Sequence, residues 1–317
     1  MLEELPESAD TWHAPSDALG FTESLGFRFV QPGETLALLS RLNLRPNQEM
    51  IDVGIDIFLR DGGFLAARHV AAFDGVVADA LDVEGVRFEK TGADWRLNFD
   101  GPAHALASAR NADDHEFWHQ SRLERLIVEL EFKTEGMPVA TDLRPDAFGQ
   151  CLRVSGEVWV SGDCYKIDTA GLRDRSWESE GFALPRARRR VEARFEGGGA
   201  LSLERGWAED GPHLTGWLDE GSGVREIVSG RIETEPDGEH PWPRALALSL
   251  VDSQRGRHRI TAEMVHTAPL RSTANQVRIL SCQSLMNFDW GGLAGQGIVE
   301  FLHRLDEDGR PLIPVDV

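Results

Sequence analysis

The chain has 317 residues, of which 41% are hydrophobic and 27% charged. That length suits two domains of about 150 residues, each with its own core, and the composition excludes a disordered chain. With 33 Lys and Arg against 53 Asp and Glu, the net charge of −20 repels phosphate backbones and anionic bilayers. No nucleic-acid partner is expected.

The N-terminal Met1-Leu2-Glu3-Glu4-Leu5-Pro6-Glu7 is acidic and lacks the basic and apolar regions of a signal peptide. No apolar run approaches the roughly 20 residues that span a bilayer, so no membrane insertion is expected and a cytoplasmic location is inferred. Three cysteines, Cys151, Cys164 and Cys282, are widely spaced without a CxxC pair. They point to a reduced compartment, with neither a disulfide framework nor a thiol metal site.

Apolar and polar residues alternate from end to end. Ile51, Val53, Ile55, Ile57 and Leu59 share one face, with Asp52, Gly54 and Asp56 opposite. The pattern recurs at Leu126–Phe132, at Leu152–Val160 and at Leu246–Leu250, and period two over such lengths predicts half-buried strands. Asp61-Gly62-Gly63, Asp100-Gly101, Gly197-Gly198-Gly199, Asp237-Gly238 and Asp308-Gly309 supply turn signals. Helical character is confined to about Ala103–Arg125, a short excursion between strand sets. Closely spaced strands without intervening helices predict an all-β chain of antiparallel barrels or half-barrels. A break in the rhythm near Gly171–Arg190, with Pro185, places a boundary there: residues 1–170 and 171–317 are expected as two β-domains.

Within that excursion lies His115-Glu116-Phe117-Trp118-His119, a literal HExxH. On a helix it would set two imidazoles on one face for zinc, with the Glu polarising a water. No third ligand follows at the expected spacing, so a polar surface helix is the preferred reading. No metal is assigned, and a zinc hydrolase stays an alternative. No phosphate-binding glycine loop is present, and no cofactor is expected. Nine Trp and fifteen Phe against a single Tyr suit the lining of an apolar pocket as well as plain core filling.

Gly171-Leu172-Arg173-Asp174-Arg175-Ser176-Trp177 resembles the G-x-R-D-H-S-W-G signature of the two-domain lipocalin-like hydratase superfamily, which includes carotenoid hydratases and pericyclic cyclases. Trp12 with Glu23-Ser24, Leu44-Arg45-Pro46-Asn47, Gly85-Val86-Arg87-Phe88 and Gly295-Gln296-Gly297 with Glu300-Phe301 are similar to that superfamily's other landmarks, in the same order. Here Arg175 replaces the motif His, Glu178 the Gly, and Glu180-Gly181-Phe182 a following Arg-Asp-Trp.

The resemblance implies two packed lipocalin-like units and a cofactor-independent hydratase, isomerase or cyclase acting on a hydrophobic isoprenoid-like or polycyclic molecule. Asp174 would be the proton donor, assisted by Ser176. Arg175, Trp177, Trp207, Trp217 and Trp290 would contact the substrate. An Asp in an apolar barrel is held neutral by desolvation and can protonate an alkene, with tryptophan faces steadying the cation. The same Asp beside an Arg is a structural ion pair. In an extended segment Asp174 and Ser176 face one side, and Arg173, Arg175 and Trp177 the other. A non-catalytic carrier of a hydrophobic molecule is the alternative from another class. Glu23, Glu178 and Glu300 are secondary acids.

Overall fold

The computed structural model describes residues 10–31, 36–73, 79–141, 144–178, 186–208, 211–221, 223–238, 240–274 and 277–314. The chain is all-β and lipocalin-like, as the alternation predicts, and it divides into two compact units.

The first unit opens with β1 (Thr22–Gln31), β2 (Leu36–Arg45), β3 (Met50–Phe58) and β4 (Phe64–Ala72). The short β5 (Ala80–Val83) and β6 (Val86–Thr91) precede β7 (Asp94–Leu106). After an excursion come β8 (Arg122–Thr141), β9 (Arg144–Val160) and β10 (Asp163–Glu178). All pairings are antiparallel, and β1 pairs with β10 as well as with β2. β6 pairs with the start of β7, and the end of β7 pairs with β4, through Phe64↔Leu106 to Ala66↔His104. That last ladder brings the sheet round on itself through eight strands, with the β5–β6 hairpin beside it.

The second unit is a closed eight-stranded barrel. Its strands are β11 (Ala187–Phe195), β12 (Ala200–Ala208), β13 (Gly211–Asp219) and β14 (Val224–Pro236), then β15 (Pro243–Asp252), β16 (Arg257–Ala274), β17 (Val277–Trp290) and β18 (Leu293–Arg304). β11 pairs with β18 to close it, and β13 and β14 are joined by a short ladder, Trp217↔Glu226 to Asp219↔Val224. Each unit has its own core: Leu25, Phe27, Val53, Trp95 and Phe132 belong to the first, and Val191, Leu248, Phe288 and Phe301 to the second.

The helical expectation over Ala103–Arg125 shrinks on inspection. Ala103 still belongs to β7 and Arg125 to β8, leaving a 3-10 turn at Ala109–Asp113 and the six-residue helix α1 (His115–Gln120). Strand pairing overrides the helical preference of the alanines. Asp100-Gly101 is not a turn either. It lies inside β7, where a Cβ on Gly101 would fall 2.7 Å from the Phe99 ring, and Asp100 pairs with Arg125 of β8. The stretch Ser108–His115 groups with the second unit, although β7 and β8 on either side of it belong to the first. Arg110 lies 2.9 Å from Asp237, and Asp113 lies 3.6 Å from Arg271. β10 carries the first sheet past residue 170 to Glu178, and the two units part between Ala183 and Leu184.

Candidate functional site

The segment Gly171–Trp177 forms the closing strand of the first barrel. Its register pairs Gly26 with Asp174, Leu25 with Arg175 and Glu23 with Trp177. Leu25, Phe27 and Phe29 are core residues, so Arg173, Arg175 and Trp177 share the inward side, and Asp174 and Ser176 the outward one.

On the outward side Asp174 makes an ion pair with Arg28, their side chains 13% and 9% exposed. Gly26, directly across the ladder, makes room for that pair: a Cβ there would lie 2.6 Å from Asp174 Oδ1 and 3.5 Å from Arg28 Nη2. Ser176 stands across from Ser24. The Ser24 hydroxyl donates to Asn43, 2.8 Å away, and Asn43 donates in turn to Asp52 at 2.7 Å. The expected proton donor therefore faces away from the apolar core, with a guanidinium beside it. Register decides this, because strand parity puts Arg175 rather than Asp174 inside.

Inside, Arg175 and Glu23 form a salt bridge of 2.6 Å with both side chains 1% exposed. Arg175 Nη2 also donates to the Thr11 carbonyl at 2.7 Å, and its guanidinium lies 4.7 Å from the centre of the Trp12 ring. Arg173 donates to Gln150 at 2.7 Å and to Asp10 at 2.9 Å. Burial pushes the Asp10 carboxyl up, but Arg173 and Lys90 outweigh it and hold the group below its ordinary range. Burial draws the Arg173 guanidinium down from its ordinary value, Asp10 opposes that, and the like charge of Arg175 adds to it. His13 Nδ1 lies 2.9 Å from Glu23 Oε1, and the imidazole stacks on Trp177 with ring centres 4.0 Å apart. The segment Asp10–His13 thus packs its groups against one end of this barrel. His13, isolated in sequence, belongs to the network.

The three tryptophans of the second unit expected to contact the substrate, Trp207, Trp217 and Trp290, do not converge. Trp207 alternates with the core residues Leu201 and Leu203 and faces inward, as Trp290 does beside Phe195, ring centres 5.2 Å apart. The two lie at opposite ends of β11: Trp207 pairs with Ala187, whereas Trp290 touches Phe195. Trp217 alternates with the core residue Leu218, so it faces outward, although it is buried. Glu300 is also outward, held by Arg188 and by the Ser281 hydroxyl at 2.9 Å each. The Glu178 side chain and residues 180–182 lie outside the described residues.

At the far turn of this barrel, Asp252 accepts from Gly256, Gln254, His258 and Arg225. Burial pushes its carboxyl up, yet these donors prevail and set it at about 2. In α1, Glu116 and His119 are exposed and Gln120 donates to Glu116. Among the described residues no group of three or more His, Cys, Asp or Glu is placed to hold a metal ion. None of the described helices is long and apolar enough to cross a membrane.

Residues 6–304 match the family described as a domain of unknown function (DUF7064). The chain belongs to that family. No curated protein matches the sequence. Among solved structures, a candidate AttH from Nitrosomonas europaea superposes with a TM-score of 0.67 at 16% identity, covering 94% of this chain and 96% of the other. CghA in complex with Sch210972 gives 0.58 at 11% identity, over 90% and 88% of the two chains. Kievitone hydratase from Nectria haematococca gives 0.55 at 11%, over 95% and 93%. At these identities the likeness establishes the fold: both units of this DUF7064 protein have counterparts in each neighbour.

Proposed function

We propose that this protein is a cofactor-independent enzyme of the hydratase, isomerase or cyclase kind, acting on an apolar small molecule with Asp174 as its acid–base group. The fold it shares with kievitone hydratase and CghA along nearly the whole chain supports the class of reaction. The observation that carries the residue assignment is the buried Asp174–Arg28 pair, for which Gly26 leaves space.

A guanidinium beside a carboxylate favours its charged form. Asp174 then enters the cycle as the proton acceptor, with Ser176 as its neighbour on the same face, and returns the proton to carbon or oxygen in the second half. Isomerisation, and addition or loss of water, each need one such transfer out and one back. A positioned acid–base group contributes roughly 100- to 10,000-fold to rate.

The carrier reading keeps one specific observation in its favour. Asp174 already has a cationic partner and faces away from the core, as a structural ion pair would.

The test is product analysis by mass spectrometry after incubating the protein with terpenoid and steroidal alkenes in heavy-oxygen water, with Asp174→Asn in parallel. A labelled adduct or an unlabelled isomer that falls at least 100-fold in the variant supports the enzyme. Ligands that bind both proteins and return unchanged support the carrier.

A further inference from the structure

The ladder between β4 and β7 closes the first barrel through eight strands. A barrel of that size has an interior just wide enough for side chains or for one small molecule. Polar atoms inside it distinguish the two cases.

Ser40 alternates with the core residues Leu38 and Leu42 of β2, so it faces inward, and it is 4% exposed. Trp95 begins the inward row Trp95, Leu97 and Phe99 of β7 and is 2% exposed. Neither the Ser40 hydroxyl nor the Trp95 indole nitrogen makes a hydrogen bond within the described residues. His69 follows the core residues Leu65 and Ala67 on the inward row of β4, and its Nε2 is likewise buried without a hydrogen bond.

The three groups sit on different strands and share one interior. Ser40 stands across the ladder from Phe27, whose ring centre lies 5.9 Å from that of Trp95. His69 lies 5.8 Å from Phe99, which is on the same inward row as Trp95. Ser40 pairs through Ile55 to Ala67, two residues before His69. That places Ser40 and His69 about 10–12 Å apart along the wall.

A buried donor left unpaired is destabilising, and Ala at position 40 or Phe at 95 would avoid the cost. A partner from outside the chain removes it. Small residues give such a partner room: Ala67 and Ala71 of β4 and Ala103 and Ala105 of β7 face inward on the two strands that close the barrel. Beyond Trp95 the charged groups are matched to one another. Asp10 takes Arg173 at 2.9 Å and Lys90 at 3.2 Å, and Lys90 lies 5.9 Å from the Trp95 ring centre. The groups left to a ligand are therefore uncharged, and a charged ligand would lose its water without compensation. An indole N–H only donates, so the ligand must bring an acceptor.

We propose that the first barrel encloses an uncharged, elongated apolar molecule with a carbonyl or hydroxyl oxygen, which accepts from Trp95 Nε1 and pairs with Ser40 while its body runs along Ala67 and Ala103 towards His69. The site lies inside the first unit, on the opposite face of β10 from Asp174, and does not rest on the reaction proposed above.

The test is calorimetric titration of the full chain with 2-octanone and 2-octanol, against octane and octanoate. The Trp95 indole N–H resonance, assigned through Trp95→Phe, reports the site. The expected result is saturable binding of the ketone or the alcohol with that resonance shifted. Octane and octanoate should each bind about tenfold more weakly, the size of one buried hydrogen bond. Trp95→Phe should weaken the ketone by a similar factor and leave octane unchanged. Ser40→Ala removes an unpaired buried hydroxyl, so the ligand-free protein should melt no lower than the parent while ketone or alcohol binding weakens. This variant decides the matter even if Trp95→Phe fails to fold. Octane or octanoate binding as tightly as the ketone and alcohol, an unmoved Trp95 resonance, or unchanged affinity in Ser40→Ala overturns the proposal. So does a lack of binding by both 2-octanone and 2-octanol, which would leave water alone to meet these groups.

Discussion

Each barrel turns two arginines inward at one end, and the chain treats the two pairs differently. In the first barrel Arg173 and Arg175 alternate along a single strand and meet Asp10, Glu23 and Gln150, with ion pairs of 2.6 and 2.9 Å. In the second, Arg189 and Arg205 face each other across a ladder; Arg189 donates to the Thr234 hydroxyl and the Pro314 carbonyl, and both guanidiniums lie over the Trp207 ring. A buried charge is tolerated when a counter-charge and hydrogen bonds surround it, and strained when they do not. The first arrangement therefore sets its guanidiniums against carboxylates, whereas the second stacks its guanidiniums on aromatic faces.

The comparison breaks most sharply at Glu23. Removing one partner of a fully buried ion pair leaves the other charge uncompensated, which costs about 3–5 kcal/mol. Glu23→Ala should destabilise the protein by that amount in urea denaturation. Adding Arg175→Met should recover a good part of the loss, since the stranded charge is then gone. If Glu23→Ala leaves the midpoint in place, the network at this barrel end contributes nothing to stability.

Much of this frame is legible without coordinates. The alternation at Ile51–Leu59, Leu126–Phe132 and Leu246–Leu250 marks true strands, and the parity of Arg173, Arg175 and Trp177 against Asp174 and Ser176 is plain in the motif itself. Which parity points inward is not. It depends on pairing with β1, whose core residues Leu25 and Phe27 share the parity of the arginines through the register. The partners are equally hidden, because Arg28 and Asp10 reach β10 only through closure of the barrel, which links distant positions. Arg189, one of the two inner arginines of the second barrel, lies in a basic run, Arg186–Arg190, whose sequence alone suits a solvated strand face. Only the core parity of Val191 and Ala193 assigns Arg189 to the interior.

The second effect in size is a pH dependence belonging to the second barrel. His303 falls from its ordinary 6.5 to about 4 because burial, first, and the nearby Arg189 oppose its charged form. A group whose folded value is depressed binds fewer protons folded than unfolded. Its contribution is therefore present in full above pH 6.5 and is lost as pH falls towards 4. The span corresponds to about 3 kcal/mol. Thermal melts between pH 7 and 4 should show the loss, and His303→Asn should flatten it. Below pH 4 the same sign continues through Asp252, whose depressed carboxyl, at about 2, takes up its proton last.

The smallest effect carries the contrast between the two arginine pairs most directly. Arg205→Gln removes one of two like charges that oppose each other across a ladder and keeps a side chain able to lie on Trp207. Cross-strand charge repulsion is worth roughly 0.2–1 kcal/mol. The variant should therefore be as stable as the parent or slightly more so, while Glu23→Ala at the other barrel is severely impaired. Were Arg205→Gln to lose several kcal/mol, Arg205 would be part of the barrel's own framework. The second arginine pair would then be structural, as the first is.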